Sequence, residues 1–99
     1  MFLLLTGKQR SFLKAIANSI EPIFQIGKNG ITDNFIKQVD SALESREIIK
    51  IKVLNNSFLE TDEMAKKISE LVGAEFVQSI GNKFIIYRES KEKKKIELP

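Results

Sequence analysis

The chain has 99 residues, of which 42% are hydrophobic and 29% charged, a composition typical of one soluble globular domain. It contains no cysteine and no histidine, which excludes a disulfide framework, a thiolate zinc site and catalysis by a thiol or an imidazole. The formal net charge is +3, and it is unevenly placed: residues 1–54 carry +3, residues 55–87 carry −2 and residues 88–99 carry +2. This asymmetry is compatible with an anionic partner.

The first residues favour a cytoplasmic protein. Met1–Leu5 is apolar, but it lacks the basic leader and the cleavage site of a signal peptide. It is also too short to span a bilayer, so no membrane partner is expected.

A capped helix is predicted to follow. Thr6 and Gln9 have the spacing of a capping box. A buried stripe at helical spacing consists of Phe12, Leu13, Ile16, Ala17 and Ile20. Pro22 disfavours helix at Glu21, so a short strand is expected over Ile23–Ile26.

The tetrapeptide Gly27-Lys28-Asn29-Gly30 separates this strand from a second predicted helix. Glycines permit positive φ and close approach of a partner, and Lys28 adds a cation. The N-terminus of the next helix, capped by Thr32, offers unpaired N–H groups to an anion. The loop therefore suits a nucleic-acid backbone, although an ordinary strand-to-helix turn explains the same pattern.

The second helix has an apolar stripe running from Phe35 to Leu43 and is expected to fray around Ser45–Glu47. Ile48–Leu54 is the clearest strand. Ile49, Ile51 and Val53 line one of its faces, and Lys50 and Lys52 lie on the other. A third helix is predicted from the cap Thr61 to a stop at Gly73.

The last two strands, Glu75–Ile80 and Lys83–Arg88, are predicted to form a hairpin around Gly81-Asn82. Because the last strand is apolar on both faces, it should be central. The predicted fold is a compact α/β domain with a four-stranded mixed sheet in the order first, second, fourth, third. Helices two and three should cover one face, and periodicity leaves the position of the first helix open.

Four stretches of this sequence, in this order, resemble the bacterial YhbY-like proteins of the CRM (chloroplast RNA splicing and ribosome maturation) family. They are Leu5–Arg10, Gln25–Thr32, Glu47–Val53 and Ile80–Arg88. The resemblance implies a fold similar to the C-terminal domain of bacterial translation initiation factor three. It further implies a noncatalytic RNA-binding protein that associates with ribosomal RNA of the large-subunit precursor, possesses no cofactor or metal, and grips the RNA backbone through its Gly-x-x-Gly loop.

Residues 1–90 are accordingly assigned to the RNA-binding domain and residues 91–99 to a basic, mobile tail. Ile96 and Leu98 are the two apolar residues through which this tail could dock on the domain. The predicted RNA-binding residues are those of the loop and the basic groups around it: Gly27, Lys28, Asn29, Gly30, Lys8, Arg10, Lys14, Lys50, Lys52 and Arg88. Phe12, Phe35, Phe76 and Phe84 fall in core patterns, and the core is also preferred over a stacking surface for Phe24 and Tyr87. Recognition of shape with strong salt dependence is therefore expected.

Two other functions are weighed. A protein-interaction adaptor, docking on a ribosomal protein or an assembly factor, would use the acidic 55–87 region and the apolar start of the chain. An enzyme is disfavoured because Ser11 and Lys14 have no further partners for a nucleophilic site and no cluster of acids is evident. The oligomeric state stays open, with a monomer preferred.

Overall fold

The computed structural model describes residues 5–27, 30–54, 61–92 and 94–99. Predictions that concern Lys28, Asn29, Lys93, residues 1–4 or residues 55–60 lie outside the described residues. Within the described part, the elements in chain order are α1 (Gly7–Ala17), β1 (Phe24–Ile26), α2 (Asp33–Arg46), β2 (Ile48–Val53), α3 (Thr61–Val72), β3 (Glu75–Ile80) and β4 (Lys83–Tyr87).

The sheet has the order β1-β2-β4-β3, which confirms the predicted order. β1 and β2 run parallel, and β4 is antiparallel to both of its neighbours. Gly81 opens the β3–β4 hairpin with a φ of 60°, a conformation that glycine adopts without steric cost. Phe84, Ile85 and Ile86 of β4 are completely buried, as expected for a central strand covered on both faces.

The sheet lies between two helical layers. α2 and α3 cover one face, where Ile49 and Ile51 of β2 contribute to the larger hydrophobic core. α1 packs on the other face, and its residues Leu13 and Ala17 contact a smaller core that includes Tyr87. The structure thus fixes the position of the first helix, which the sequence left open.

The start of α1 agrees with the prediction, because Thr6 and Gln9 form the complete capping box. Phe12 is an exception to the predicted buried stripe, since 40% of it is exposed. Neighbouring residues differ by about 100° around a helix, so Phe12 lies at the side of α1 while Leu13 faces the sheet.

α2 ends at Arg46, inside the interval Ser45–Glu47 where the sequence predicted its end. Glu47 does not lie in a frayed end, however, because it is fully buried with a φ of 67°. The cause lies far away in the sequence: the Glu47 carboxylate accepts hydrogen bonds from the backbone N–H groups of Ser90, Lys95 and Ile96. A smaller difference concerns Thr61, which is the first residue of α3 rather than its cap.

The described C-terminal residues contact the domain. Ile96 and Leu98 pack against the core beneath α1, and Gln9 Nε2 donates a hydrogen bond to the Pro99 carbonyl. At the other end of the segment, Glu44 accepts a hydrogen bond from Ser90 Oγ at 2.7 Å, which is the main cause that lowers the pKa of Glu44. The mobility predicted for residues 91–99 stays a prediction.

Candidate nucleic-acid interface

The two glycines of the predicted RNA-binding loop close a turn. Gly27 directly follows β1, and the Gly30 N–H donates a hydrogen bond to the Gly27 carbonyl at 3.0 Å. Gly30 has a φ of 67°, which residues with a Cβ seldom adopt. Because its N–H is bonded inside the turn, Gly30 in this conformation shapes the turn but does not offer its N–H to a ligand. Lys28 and Asn29 lie outside the described residues, so their role stays a prediction.

The elements on either side of the loop hold its ends in place. The rings of Phe24 in β1 and Phe35 in α2 meet edge to face, with their centroids 5.6 Å apart. Beyond β2, the Leu54 N–H donates to the Ile26 carbonyl at 2.9 Å. The loop is therefore anchored on one side by the sheet and on the other by α2.

Helix α2 begins two residues after the loop with the predicted cap. Thr32 Oγ1 accepts the Phe35 N–H at 3.1 Å, which satisfies one of the free donors of the first turn. The remaining first-turn N–H groups have no intrahelical acceptor and point towards the loop end of the helix. Asp33 adds a negative charge there, so the attraction of this helix end for an anion is partly offset.

A row of polar residues crosses the sheet at the same end, on the face that carries α1. Gln25 of β1 is paired with Lys52 of β2, and Lys52 is paired with Lys83 of β4. We call these three residues the lysine row. All three are at least partly exposed, whereas α1 covers Ile48, Ile85 and Tyr87 farther along the strands.

The two lysines of the row face each other directly. Cβ atoms of opposed residues in an antiparallel pair are about 4.5–5.5 Å apart, and like charges at such positions destabilise the pair. In the described part of the chain, neither Lys52 nor Lys83 has a carboxylate within ion-pair distance. The Val53 N–H also donates to the Asn82 carbonyl at 2.6 Å, so the hairpin turn lies beside the end of β2. This end of the sheet therefore presents two uncompensated positive charges next to the loop.

Lys83 is a residue that sequence reasoning missed. The signal was present, because the Gly81-Asn82 turn makes Lys83 the first residue of β4, and the predicted strand order places β4 beside β2. Only the register, however, shows that Lys83 opposes Lys52 and not another residue of β2.

The other described lysines of the prediction lie on the same side of the sheet as this surface. Lys50 lies on the same face of β2 as Lys52, one pleat farther from the loop, and is partly exposed. Lys8 and Lys14 are exposed on α1. Their side chains add positive charge to the side of the molecule that carries the lysine row.

The two predicted arginines occupy different positions. The Arg10 guanidinium donates to the carbonyls of Phe76 and Val77, at the irregularity in β3 where the pairing with β4 shifts. Carbonyls at such a bulge leave the regular ladder, and Arg10 satisfies them. The structure therefore places Arg10 against the β3 edge, away from the loop beside β1.

Arg88 is engaged at the opposite end of the sheet. Its guanidinium pairs with Asp40 at 2.5 Å and also donates to the carbonyls of Val72 and Asp40. β4 starts at Lys83 near the loop, so Arg88, which follows its last residue, lies far from the loop. The structure does not bring Arg88 together with the lysine row.

The matching family model is the CRS1 / YhbY (CRM) domain, which covers residues 5–88. The chain belongs to the CRM domain family. This membership confirms the resemblance, and the described residues of this CRM protein confirm the predicted fold. The solved structure of a Staphylococcus aureus protein, described as a candidate RNA-binding protein, has 55% sequence identity and a TM-score of 0.81; the match covers 97% of this chain and 100% of that one.

Two curated relatives of this chain are named as RNA-binding proteins. The probable RNA-binding protein YqeI of Bacillus subtilis is 48% identical over 97% of this chain and 100% of its own length. An RNA-binding protein of Haemophilus influenzae is 35% identical over 96% of this chain and 95% of its own length. The family consists of RNA-binding proteins and not of enzymes, which confirms that this CRM protein is not an enzyme. Among its described helices, none has the length and apolarity needed to cross a membrane.

Proposed function

We propose that this CRM protein binds RNA of the large-subunit ribosomal precursor without catalysing a reaction, and that it assists assembly of that subunit in the cytoplasm. The observation that carries the proposal is the direct opposition of Lys52 and Lys83 beside the Gly27–Gly30 turn, with no carboxylate of the described residues paired to either lysine. Two neighbouring cations of this kind form a surface for phosphates.

The geometry supports different roles for the glycine turn and for the lysine row in RNA binding. The glycine turn has no side chains at its ends, so a ribose-phosphate backbone can approach it closely. The lysine row lies at the same end of the sheet and supplies charge, while Gln25 adds a neutral hydrogen-bonding group. Contacts of this kind position RNA without reading its sequence. Lys28, Lys8, Lys14 and Lys50 extend the same cationic surface in this proposal, and Asn29 adds a neutral amide, whereas Arg10 and Arg88 stabilise the fold.

The test measures binding to naked RNA. Fluorescence anisotropy with fragments of large-subunit ribosomal RNA should show that Lys52→Gln and Lys83→Gln each weaken binding and reduce the salt slope by about 0.7–0.9 for each lost phosphate contact. Lys66→Gln is the matched control, because Lys66 is exposed on α3, on the other side of the sheet. Unchanged affinity in both row variants would refute the proposed surface, and binding to ribosomal proteins alone would favour an adaptor.

The ribosomal part of the proposal needs a cellular measurement. Crosslinking followed by RNA sequencing should give a discrete footprint on large-subunit ribosomal RNA, and a Lys28→Ala variant should weaken it. Crosslinks scattered over unrelated transcripts would contradict the ribosomal assignment while leaving RNA binding intact.

A further inference from the structure

A second concave surface lies at the end of the sheet where β1 and β2 begin, away from the glycine turn. It is a cleft of about 420 Å³ between the end of α1, the start of β1 and β2, and the C-terminal segment. Its apolar part consists of Ile20, Ile23, Ile48 and Ile49. We call it the tail cleft. Its volume falls in the range of small-molecule pockets, about 300–1,000 Å³.

The rim of the tail cleft is positively charged. Arg46, Lys50 and Lys95 line it together with a single carboxylate, that of Glu21. Within the described residues, none of the three cations has an ion-pair partner. The cleft therefore combines an apolar floor with an excess of positive charge, which suits a ligand that has both a flat apolar part and an anionic part.

The C-terminal segment places Lys95 at this cleft through its backbone. The buried Glu47 carboxylate accepts the Lys95 N–H at 2.5 Å and the Ile96 N–H at 2.7 Å. Ile96 then packs against the core beneath α1. The Lys95 side chain is left exposed, so its ammonium group is available to a ligand in the cleft.

The tail cleft is continuous with the lysine row. Lys50 lines the cleft and lies two residues before Lys52 on the same face of β2, a separation of about 6.6 Å along the strand. Ile23 of the cleft is four residues before Gly27, which corresponds to about 13 Å of extended chain. An RNA strand on the lysine row would thus reach the cleft within a few nucleotides.

We propose that the tail cleft binds one unpaired nucleotide of the RNA, with its base against the isoleucine floor and its phosphate among Arg46, Lys50 and Lys95. The inference rests on the proposed function, because it takes the strand on the lysine row as the source of the nucleotide. RNA-binding proteins recognise unpaired bases by packing them against flat or apolar groups, and the Arg46 guanidinium offers a plane for such stacking. A base held in a duplex cannot enter the cleft.

The sharpest test compares two adjacent lysines. Lys95 lines the cleft, whereas Lys94 pairs with Glu89 at 3.4 Å and does not line it. Lys95→Gln and Arg46→Gln should each weaken binding of a single-stranded RNA of about ten nucleotides by about three- to fivefold. Lys94→Gln should leave the affinity unchanged, and all three variants should weaken binding of the corresponding duplex by less than twofold.

Parallel measurements separate the two proposals. If Lys52→Gln weakens single-strand binding and the cleft variants do not, the proposed function stands and the tail-cleft inference is wrong, which would leave the cleft to another anionic partner. If neither set changes the affinity, both proposals fail.

In an NMR titration, adenosine monophosphate should shift the amide signals of Ile23 and Lys50 more than inorganic phosphate does. Equal shifts would indicate a simple anion patch and overturn the nucleotide site.

Discussion

The Glu47 carboxylate accepts the backbone N–H of Ile96 at 2.7 Å across 49 positions of sequence. Glu47 is completely buried, and the same carboxylate accepts N–H groups of Ser90 and Lys95. A carboxylate consists of two acceptor oxygens, so it can satisfy all three donors at once. The end of α2 and the C-terminal segment are therefore joined through one side chain.

Replacing Glu47 by glutamine should destabilise the protein. The amide retains one acceptor oxygen and places an NH2 group against backbone donors, so at least one buried N–H loses its partner. Such a loss costs about 1–3 kcal/mol in the free energy of unfolding. Urea denaturation checks this, with Glu70→Gln on the exposed side of α3 as the control. Equal unfolding midpoints for the two variants would show that the segment contributes no stability through Glu47.

The conformation of Gly30 leads to a second prediction. Its φ of 67° costs an L-residue about 1–2 kcal/mol, so Gly30→Ala should lower the free energy of unfolding by about that amount. Gly30→Asn should cost less, because asparagine tolerates this region of φ and ψ. Gly27→Ala should be mild, since among the described residues the new Cβ meets the flexible end of Leu54, at 3.3 Å. Chemical denaturation of the three variants checks the ranking, and an alanine at position 30 as stable as glycine contradicts it.

Local signals explain why the sequence predicted so much of this fold. The Gly81-Asn82 hairpin and the apolar Phe84–Tyr87 segment are neighbours in the chain, and together they determine that β4 is central. The capping box at Thr6 and the cap at Thr32 are likewise local. The turn closed by Gly27 and Gly30 is local as well, whereas its role in RNA binding stays a prediction.

Long-range partners explain what the sequence did not predict. A buried Glu47 and an ion-paired Arg88 have partners more than 40 residues away, and neither partner follows from periodicity. The stripe of α1 fits either face of the sheet, and only the structure shows that Leu13 belongs to the same core as Tyr87. The opposition of Lys52 and Lys83 depends on strand register, which composition does not reveal.

The position of Arg88 predicts that its replacement will lower the stability of the protein without changing its affinity for RNA. Its guanidinium bonds to Asp40 and to the carbonyl of Val72, so Arg88→Gln should lower the free energy of unfolding by about 1–3 kcal/mol. RNA affinity, measured by anisotropy at a temperature where the variant is folded, should not change. Asp40→Asn is the companion variant, because it should also destabilise the protein without affecting RNA binding. A loss of RNA affinity in Arg88→Gln alone would place Arg88 in the interface.

The single tyrosine makes the pH dependence directly measurable. Burial, together with the charges of Glu47 and Glu89, raises the pKa of Tyr87 to about 12 from its ordinary value of 10. The neutral phenol is thus favoured in the folded state, and its contribution to stability is complete below pH 10 and lost as the pH rises through 12. Absorbance titration should report the raised pKa. Unfolding of Tyr87→Phe should depend less on pH over that interval, and an equal dependence would contradict the assignment.

Charge reversal at Lys83 should move stability and RNA binding in opposite directions. Lys83→Glu converts a repulsive pair with Lys52 into an attractive one, which should raise the free energy of unfolding by about 0.2–1 kcal/mol. The same change places a negative charge beside the glycine turn, so RNA affinity should fall by more than in Lys83→Gln. The mirrored variant Lys52→Glu should behave alike, because it forms the same pair with the charges exchanged. Higher stability with undiminished RNA affinity would show that Lys52 and Lys83 repel each other but do not bind the phosphates of the RNA.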